Sequence, residues 1–263
     1  MDQGQNRLVF HVNAPCLFSC GHYSYIYILN LLYRDMKKMI IPFFCAVLFS
    51  VPAAAQKTSA VSAKTEVVKS KLTPKDVVDN YFKALGGKSK LEAVKTTIVD
   101  NTLNVQGMDI TMSTMKQGNK FKSVQTAMGQ KVSQVFDGEK GYIERAGQKT
   151  DFPADNIAEL KKGTTIEALA FNPSNFKDVT TEKLDGKDYN VLSSDKGKFY
   201  FDAATGLLYK SSVGEGSVIV KNYMTVEDIK FPSEVDIDGK GQKVTIKTTK
   251  VVLNTGVSDA DFK

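Results

Sequence analysis

The residue types that most often carry chemistry crowd one end of this 263-residue chain. Both histidines (His11, His22) and all three cysteines (Cys16, Cys20, Cys45) precede Gln56, and tryptophan is absent throughout. From Gln56 onward that excludes a Ser-His-Asp triad, a Cys-His pair, a Cys/His zinc site and a disulfide. Carboxylates remain, and a pair of them can work without histidine, as in glycoside hydrolysis. Their spacing gives them other duties. Phe136-Asp137-Gly138-Glu139-Lys140-Gly141 and Phe201-Asp202-Ala203-Ala204-Thr205-Gly206 share the pattern Phe-Asp-x-x-x-Gly. An Asp opening a turn hydrogen-bonds the backbone two residues on, and a Gly four positions later takes the positive φ that a hairpin loop needs. Asp185-Gly186 is a further turn pair, and Asp236-Ile237-Asp238-Gly239 reads as a hairpin tip rather than a calcium loop. The expectation is a non-enzyme with no catalytic residues, no metal site and no cofactor.

Charge narrows the class further. Residues 56–263 hold 31 Lys and Arg against 27 Asp and Glu, and Arg145 is the only arginine among them. A nucleic-acid binder gathers arginines and aromatics on one face. Here the lysines are scattered along alternating segments, as solvated outer faces and protected edges require. Nucleic acid is therefore not an expected partner.

The N-terminal third divides by composition. Met36-Lys37-Lys38-Met39 is a basic start, and Ile40 to Val51 is apolar but shorter than the roughly 20 residues a membrane span needs. Ala53-Ala54-Ala55 before Gln56 fits the small-residue rule for signal cleavage. Residues 36–55 thus read as a signal peptide cut near Ala55/Gln56. Residues 1–35 read as an upstream extension from a start site placed too early, and 56–72 as a flexible lead-in. The folded domain is expected over 73–263.

The elements that must position any site are mostly strands. Thr73-Pro74-Lys75-Asp76 has the makings of a capping box with Pro in the first turn. Val77, Val78, Tyr81, Phe82 and Leu85 then form one apolar stripe, stopped by Gly86-Gly87. From Thr97 the period changes to two, with Val99, Leu103 and Val105 opposing Asp100, Thr102 and Asn104, and alternation continues to Phe152. Pro153 to Lys162 predicts a short amphipathic helix, followed by an apolar piece, Ile166 to Phe171. Strands resume from Lys177 and run to Leu253, with Pro232 marking an edge or a bulge. About ten or eleven strands result, which should curl rather than lie flat. The predicted fold is mainly β: an incomplete antiparallel β-barrel wrapped around the N-terminal helix and the mid-chain helical plug.

Four stretches carry a family resemblance: Asp137-Gly138 with Tyr142, the hairpin Phe201 to Leu207, Ile229-Lys230-Phe231-Pro232-Ser233, and the ending Gly256 to Phe262. Over residues 73–263 the chain resembles the outer-membrane lipoprotein-sorting proteins, the periplasmic lipoprotein-carrier superfamily, in its Bacteroidetes version. Related domains occur appended to insulinase-like zinc peptidases, whose His-x-x-Glu-His motif this chain lacks. The resemblance implies a periplasmic carrier whose apolar cavity shelters lipid or lipoprotein acyl chains, with transient membrane contact and an envelope protein partner. Burying one acyl chain of ~14 carbons contributes on the order of 10 kcal/mol gross, at about 0.8 kcal/mol per methylene. The expected lining is Met108, Ile110, Met112, Phe136, Tyr142, Ile157, Leu160, Leu169 and Phe171. The methionines either line that cavity or fill the core, and the mid-chain residues either touch cargo or cap the sheet. A second reading is an accessory or interaction domain of an envelope complex or of a peptidase partner.

Overall fold

The computed structural model describes residues 67–105, 107–239 and 242–263. The expectations for residues 1–35, for the signal peptide at 36–55 and for most of the lead-in lie outside the described residues. A short strand, β1 (Val67–Lys69), opens the described chain and is followed by helices α1 (Pro74–Leu85) and α2 (Lys88–Ala93). A meander then runs through β2 (Thr96–Val105), β3 (Met108–Gln117), β4 (Lys120–Ala127), β5 (Gln130–Phe136), β6 (Gly141–Arg145) and β7 (Gln148–Asp151). Helix α3 (Ala154–Leu160) and two 3-10 turns (Glu167–Ala170, Pro173–Asn175) carry the chain to a second meander. This comprises β8 (Asp178–Leu184), β9 (Lys187–Ser194), β10 (Gly197–Asp202), β11 (Leu208–Val213), β12 (Gly216–Val226), β13 (Ile229–Gly239) and β14 (Gln242–Leu253).

The last strand returns to the first long one. β14 pairs with β2, so both meanders merge into one antiparallel sheet of 14 strands, ordered β1-β8-β9-β10-β11-β12-β13-β14-β2-β3-β4-β5-β6-β7. β1 and β7 are its two ends, and the barrel is open between them. The expected architecture holds, with a higher strand count than ten or eleven. The strand that the sequence did not place is β1, which arises inside the lead-in by pairing with β8. Pro232 is not on an edge. It lies inside the sheet, opposite Tyr223, where the β12–β13 register shifts and the missing N–H does no harm.

Helix α1 forms as its sequence dictates. Thr73 Oγ1 accepts from the Asp76 N–H at 3.2 Å while Asp76 Oδ2 accepts from the Thr73 N–H at 2.8 Å, closing the capping box. Val77, Val78, Tyr81, Phe82 and Leu85 are all buried, joined by Leu91 of α2. Five such side chains contribute roughly 10 kcal/mol gross before chain entropy is set against them. They anchor a first apolar cluster with Phe199, Phe201, Leu208 and Ile229 from the sheet and Ile166, Ala168, Phe171 and Phe176 from the mid-chain crossing. A second cluster, Leu103, Val105, Ile110, Val218, Val220, Val235, Ile237, Val244 and Ile246, occupies the inner face of β12–β14 and β2–β3.

The mid-chain plug is built differently from its expectation. Helix α3 buries no residue and has no side-chain N-cap, because Pro153 stands where a capping Ser or Asp would be. The apolar piece after it does the plugging, in irregular and 3-10 backbone.

Candidate functional site

A cavity of about 140 Å³ lies at the seam between the two apolar clusters. Tyr81 and Leu85 of α1, Ile166, Ala168 and Phe171 of the crossing segment, and Leu208, Phe231 and Val251 of the sheet bound it on the helix side. Val218, Val220 and Val235 bound it on the side of the second cluster, with Val99 and Met112 forming the floor on β2 and β3. The wall is mainly apolar and partly open to solvent. For scale, a dry cavity of about 150 Å³ holds one benzene ring, so in this closed arrangement the space takes a few carbons of one chain.

Polar groups occur at defined places in that wall. Thr97 and Lys116 are register partners, as are Asn101 and Met112, and all four line the cavity together with Thr114. Thr248 donates its hydroxyl to Asn101 Oδ1 at 2.9 Å, with the Pro232 carbonyl at the same distance. Thr114 and Ser123 share a hydroxyl hydrogen bond at 3.0 Å, both buried. At the rim, Lys116 Nζ donates to Glu167 Oε1 at 2.6 Å, linking β3 to the crossing segment. Thr165 adds a second link, accepting from the Gly118 N–H at 2.7 Å and donating to the Lys95 carbonyl at 3.2 Å. Lys230 Nζ donates to the Ala84 carbonyl near the C-terminal end of α1 at 3.3 Å.

Of the nine residues expected to line a cavity, Met112 and Phe171 face this one. Ile110 is buried in the second cluster and Met108 packs against it. Phe136 is fully buried, with its ring 6.1 Å from that of Phe121. Tyr142 pairs with Val135 and is half-buried, its hydroxyl donating to the Lys263 carbonyl at 3.2 Å and Lys149 Nζ lying 3.9 Å from its ring centre. Ile157 and Leu160 are half-buried on α3, and Leu169 packs against the first cluster. Sequence reasoning passed over Val220, Val235 and the polar set Thr97, Asn101 and Thr114. The valines carry an ordinary strand alternation that cannot distinguish a cavity wall from filled core. Asn101 and Thr97 are in phase with Val99 and Leu103, and that phase is the one available signal.

The carboxylates weighed for chemistry perform turn and pairing duties. Asp137 Oδ1 accepts from the Glu139 and Lys140 N–H groups, each at 2.8 Å, and Asp202 Oδ1 accepts from Ala204, Thr205 and the Thr205 hydroxyl. Those backbone bonds hold the Asp137 carboxyl below the usual range. Hydrogen bonds from Lys221 and Thr245 do the same for Asp236. A carboxyl held ionised in this way is unsuited to donating a proton near neutral pH. Among the described residues, no three His, Cys, Asp or Glu side chains stand close enough to hold a metal ion, and no helix is long and apolar enough to cross a membrane.

No protein family's sequence profile matches this chain, and no curated protein matches it. Its fold does recur among solved structures. A DUF1329 family protein from Desulfovibrio piger aligns with a TM-score of 0.50 at 12% identity, covering 73% of this chain and 98% of that one. A domain from Vibrio parahaemolyticus, classed with outer-membrane lipoprotein-sorting proteins, aligns with a TM-score of 0.50 at 14% identity, covering 72% and 97%. A LolA superfamily protein from Nitrosomonas europaea aligns at 0.47 and 10% identity, covering 73% and 98%. At such identities the likeness establishes the fold: this chain has the LolA-like open β-barrel.

Proposed function

We propose that this chain is an exported, non-catalytic carrier that shelters an acyl chain of a lipid or lipoprotein between its sheet and the crossing segment 153–176. The observation that carries the reading is the mainly apolar cavity between two otherwise well-packed clusters, at the point where α1, the crossing segment and the long strands converge. A binding site for hydrocarbon needs concave apolar area rather than reactive groups, and the side chains here supply it. The fold shared with a lipoprotein-sorting domain supports the same reading. The closed cavity takes only the end of a chain, so a longer one requires the crossing segment to move outward. That movement draws Ile166, Ala168 and Phe171 out of the first cluster, whereas α3 buries no residue and the rim links at Thr165 and Glu167 are polar.

The periplasm is the compartment that fits this function, with Met36 to Ala55 as the export signal and Gln56 as the mature start. N-terminal sequencing of the protein recovered from the envelope checks this, and a start far from Gln56 removes it. Cargo is tested by extracting the protein purified from its native envelope and analysing the extract by mass spectrometry. A carrier yields fatty acyl material in amounts comparable to the protein, and after delipidation takes up a fluorescent acyl probe. A protein that neither holds nor takes up acyl material is not a carrier, and the accessory-domain reading then stands, with the fully exposed edge strand β7 as the surface for a partner.

A further inference from the structure

The charges in the cavity wall are unequal. Lys116 and Lys230 are its two cations and Glu167 its one anion. Lys116 occupies an inward position on β3, with its side chain only 17% exposed, while Glu167 sits on a short 3-10 turn of the crossing segment with 36% exposed. The cation belongs to a sheet strand, and the anion to the crossing segment, where its neighbours Ile166 and Ala168 are buried but its own side chain is the more exposed of the pair. A partly buried ion pair is a weak device for stability alone, because desolvation and solvent screening offset much of the attraction. As a site for exchange it makes sense: Glu167 keeps Lys116 satisfied while the cavity is empty, and a ligand's anionic group can take its place.

Resting on the carrier reading above, we infer that the cavity selects a single-chain amphiphile with an anionic end group, a carboxylate or a phosphate, which replaces Glu167 on Lys116 while its chain lies along Val99, Met112 and Val220. The cavity's size decides the number of chains: about 140 Å³ receives one chain end and not two side by side. Lys230 adds positive potential at the rim without being consumed by a carboxylate, since its ammonium bonds a backbone carbonyl. Replacement also frees the crossing segment at one of its two rim links, so that binding and loosening of that segment are coupled.

The test measures equilibrium binding of palmitate, hexadecyl phosphate and methyl palmitate to the delipidated chain at neutral pH, by displacement of a fluorescent acyl probe. Charge-assisted pairing predicts that one or both anions bind about tenfold tighter than the ester, and the tighter anion identifies the end group. Lys116→Gln removes that preference and Lys116→Arg restores most of it. Glu167→Gln, which deletes the competing anion, tightens anion binding several-fold and leaves the ester unchanged, an effect no purely structural role for the pair produces. Circular dichroism establishes that each variant is folded. If the ester binds as tightly as both anions, or if Glu167→Gln weakens all three alike, the inference fails while the carrier reading stands. If none of the three binds, the carrier reading itself fails.

Discussion

The Tyr223 hydroxyl donates to the Leu208 carbonyl oxygen at 2.7 Å, and the hydroxyl of Tyr81 on α1 hydrogen-bonds Tyr223 in turn. Helix, β11 and β12 are thereby fixed at one point beside the cavity. Burial pushes the Tyr223 phenol well above its ordinary 10.0, and burial also raises Tyr189 and Tyr200. A folded pKa above the unfolded one means the native state binds protons more tightly, so this stability is complete below pH 10 and is lost as pH rises beyond it. Urea unfolding is expected to give a falling midpoint above pH 10. Tyr223→Phe should lower stability by about 1 kcal/mol at neutral pH and flatten part of the alkaline loss. An unchanged alkaline slope in the variant defeats the assignment.

The acid side has the opposite sign. Asp137 is depressed by backbone bonds from Lys140 and Glu139, and Asp236 by hydrogen bonds from Lys221 and Thr245. Depressed carboxylates bind protons less tightly in the folded state, so their contribution is present above the unfolded value of 3.8 and disappears as pH falls through the folded ones. Stability is expected to be level across mildly acidic pH and to drop below about pH 4. Asp137→Asn should shrink that drop, and an acid limb identical to the parent's would count against the turn bonds as its source.

The shared Phe-Asp-x-x-x-Gly pattern makes different demands at its two occurrences. Gly206 has φ +75°, and a Cβ there would stand 3.0 Å from the Asn80 carbonyl oxygen of α1 and 3.4 Å from Ala84 Cβ. Gly141, the matching residue of the first hairpin, has no positive φ, but a Cβ would meet the Val135 carbonyl at 2.5 Å and the Phe152 ring at 2.6 Å. Gly206→Ala is expected to destabilise by about 1–2 kcal/mol from backbone strain alone, plus whatever shift of α1 the contact forces. Gly141→Ala should be worse, since backbone and a packed ring cannot both retreat. Thermal unfolding of the two variants orders them, and the reverse order would mean that strain outweighs crowding.

The strand segments, the N-terminal helix and the turns were legible because each is written locally: a capping box at Thr73–Asp76, period-two alternation, Asp and Gly at turn positions. The cavity was not. Its wall is assembled from β2, β3, β11, β12, β13 and β14, and which valines face a void depends on how the sheet curls. Phe136 and Phe171 look alike in sequence, yet one packs against Phe121 and the other lines the cavity. The signal that sequence reasoning passed over lies in the out-of-place residue types: Thr97, Asn101 and Thr114 are polar at inward positions, where a fully packed core would hold apolar side chains.

That distinction between void and filled core gives the sharpest variant pair. Both Val220 and Ile110 belong to the second cluster, but Val220 also lines the cavity and Ile110 does not. Val220→Phe places a ring into the open space, so crowding of about 1–3 kcal/mol that a filled core would suffer is largely avoided. Stability should stay within about 1 kcal/mol of the parent, while acyl-probe affinity falls at least tenfold, the equivalent of ~1.4 kcal/mol. Ile110→Val removes a methylene from packed core and should cost about 0.5–1.5 kcal/mol with acyl affinity unchanged. Chemical unfolding and probe titration on both variants separate stability from binding. Full probe affinity in Val220→Phe would mean that the acyl chain lies somewhere other than the seam between the two clusters.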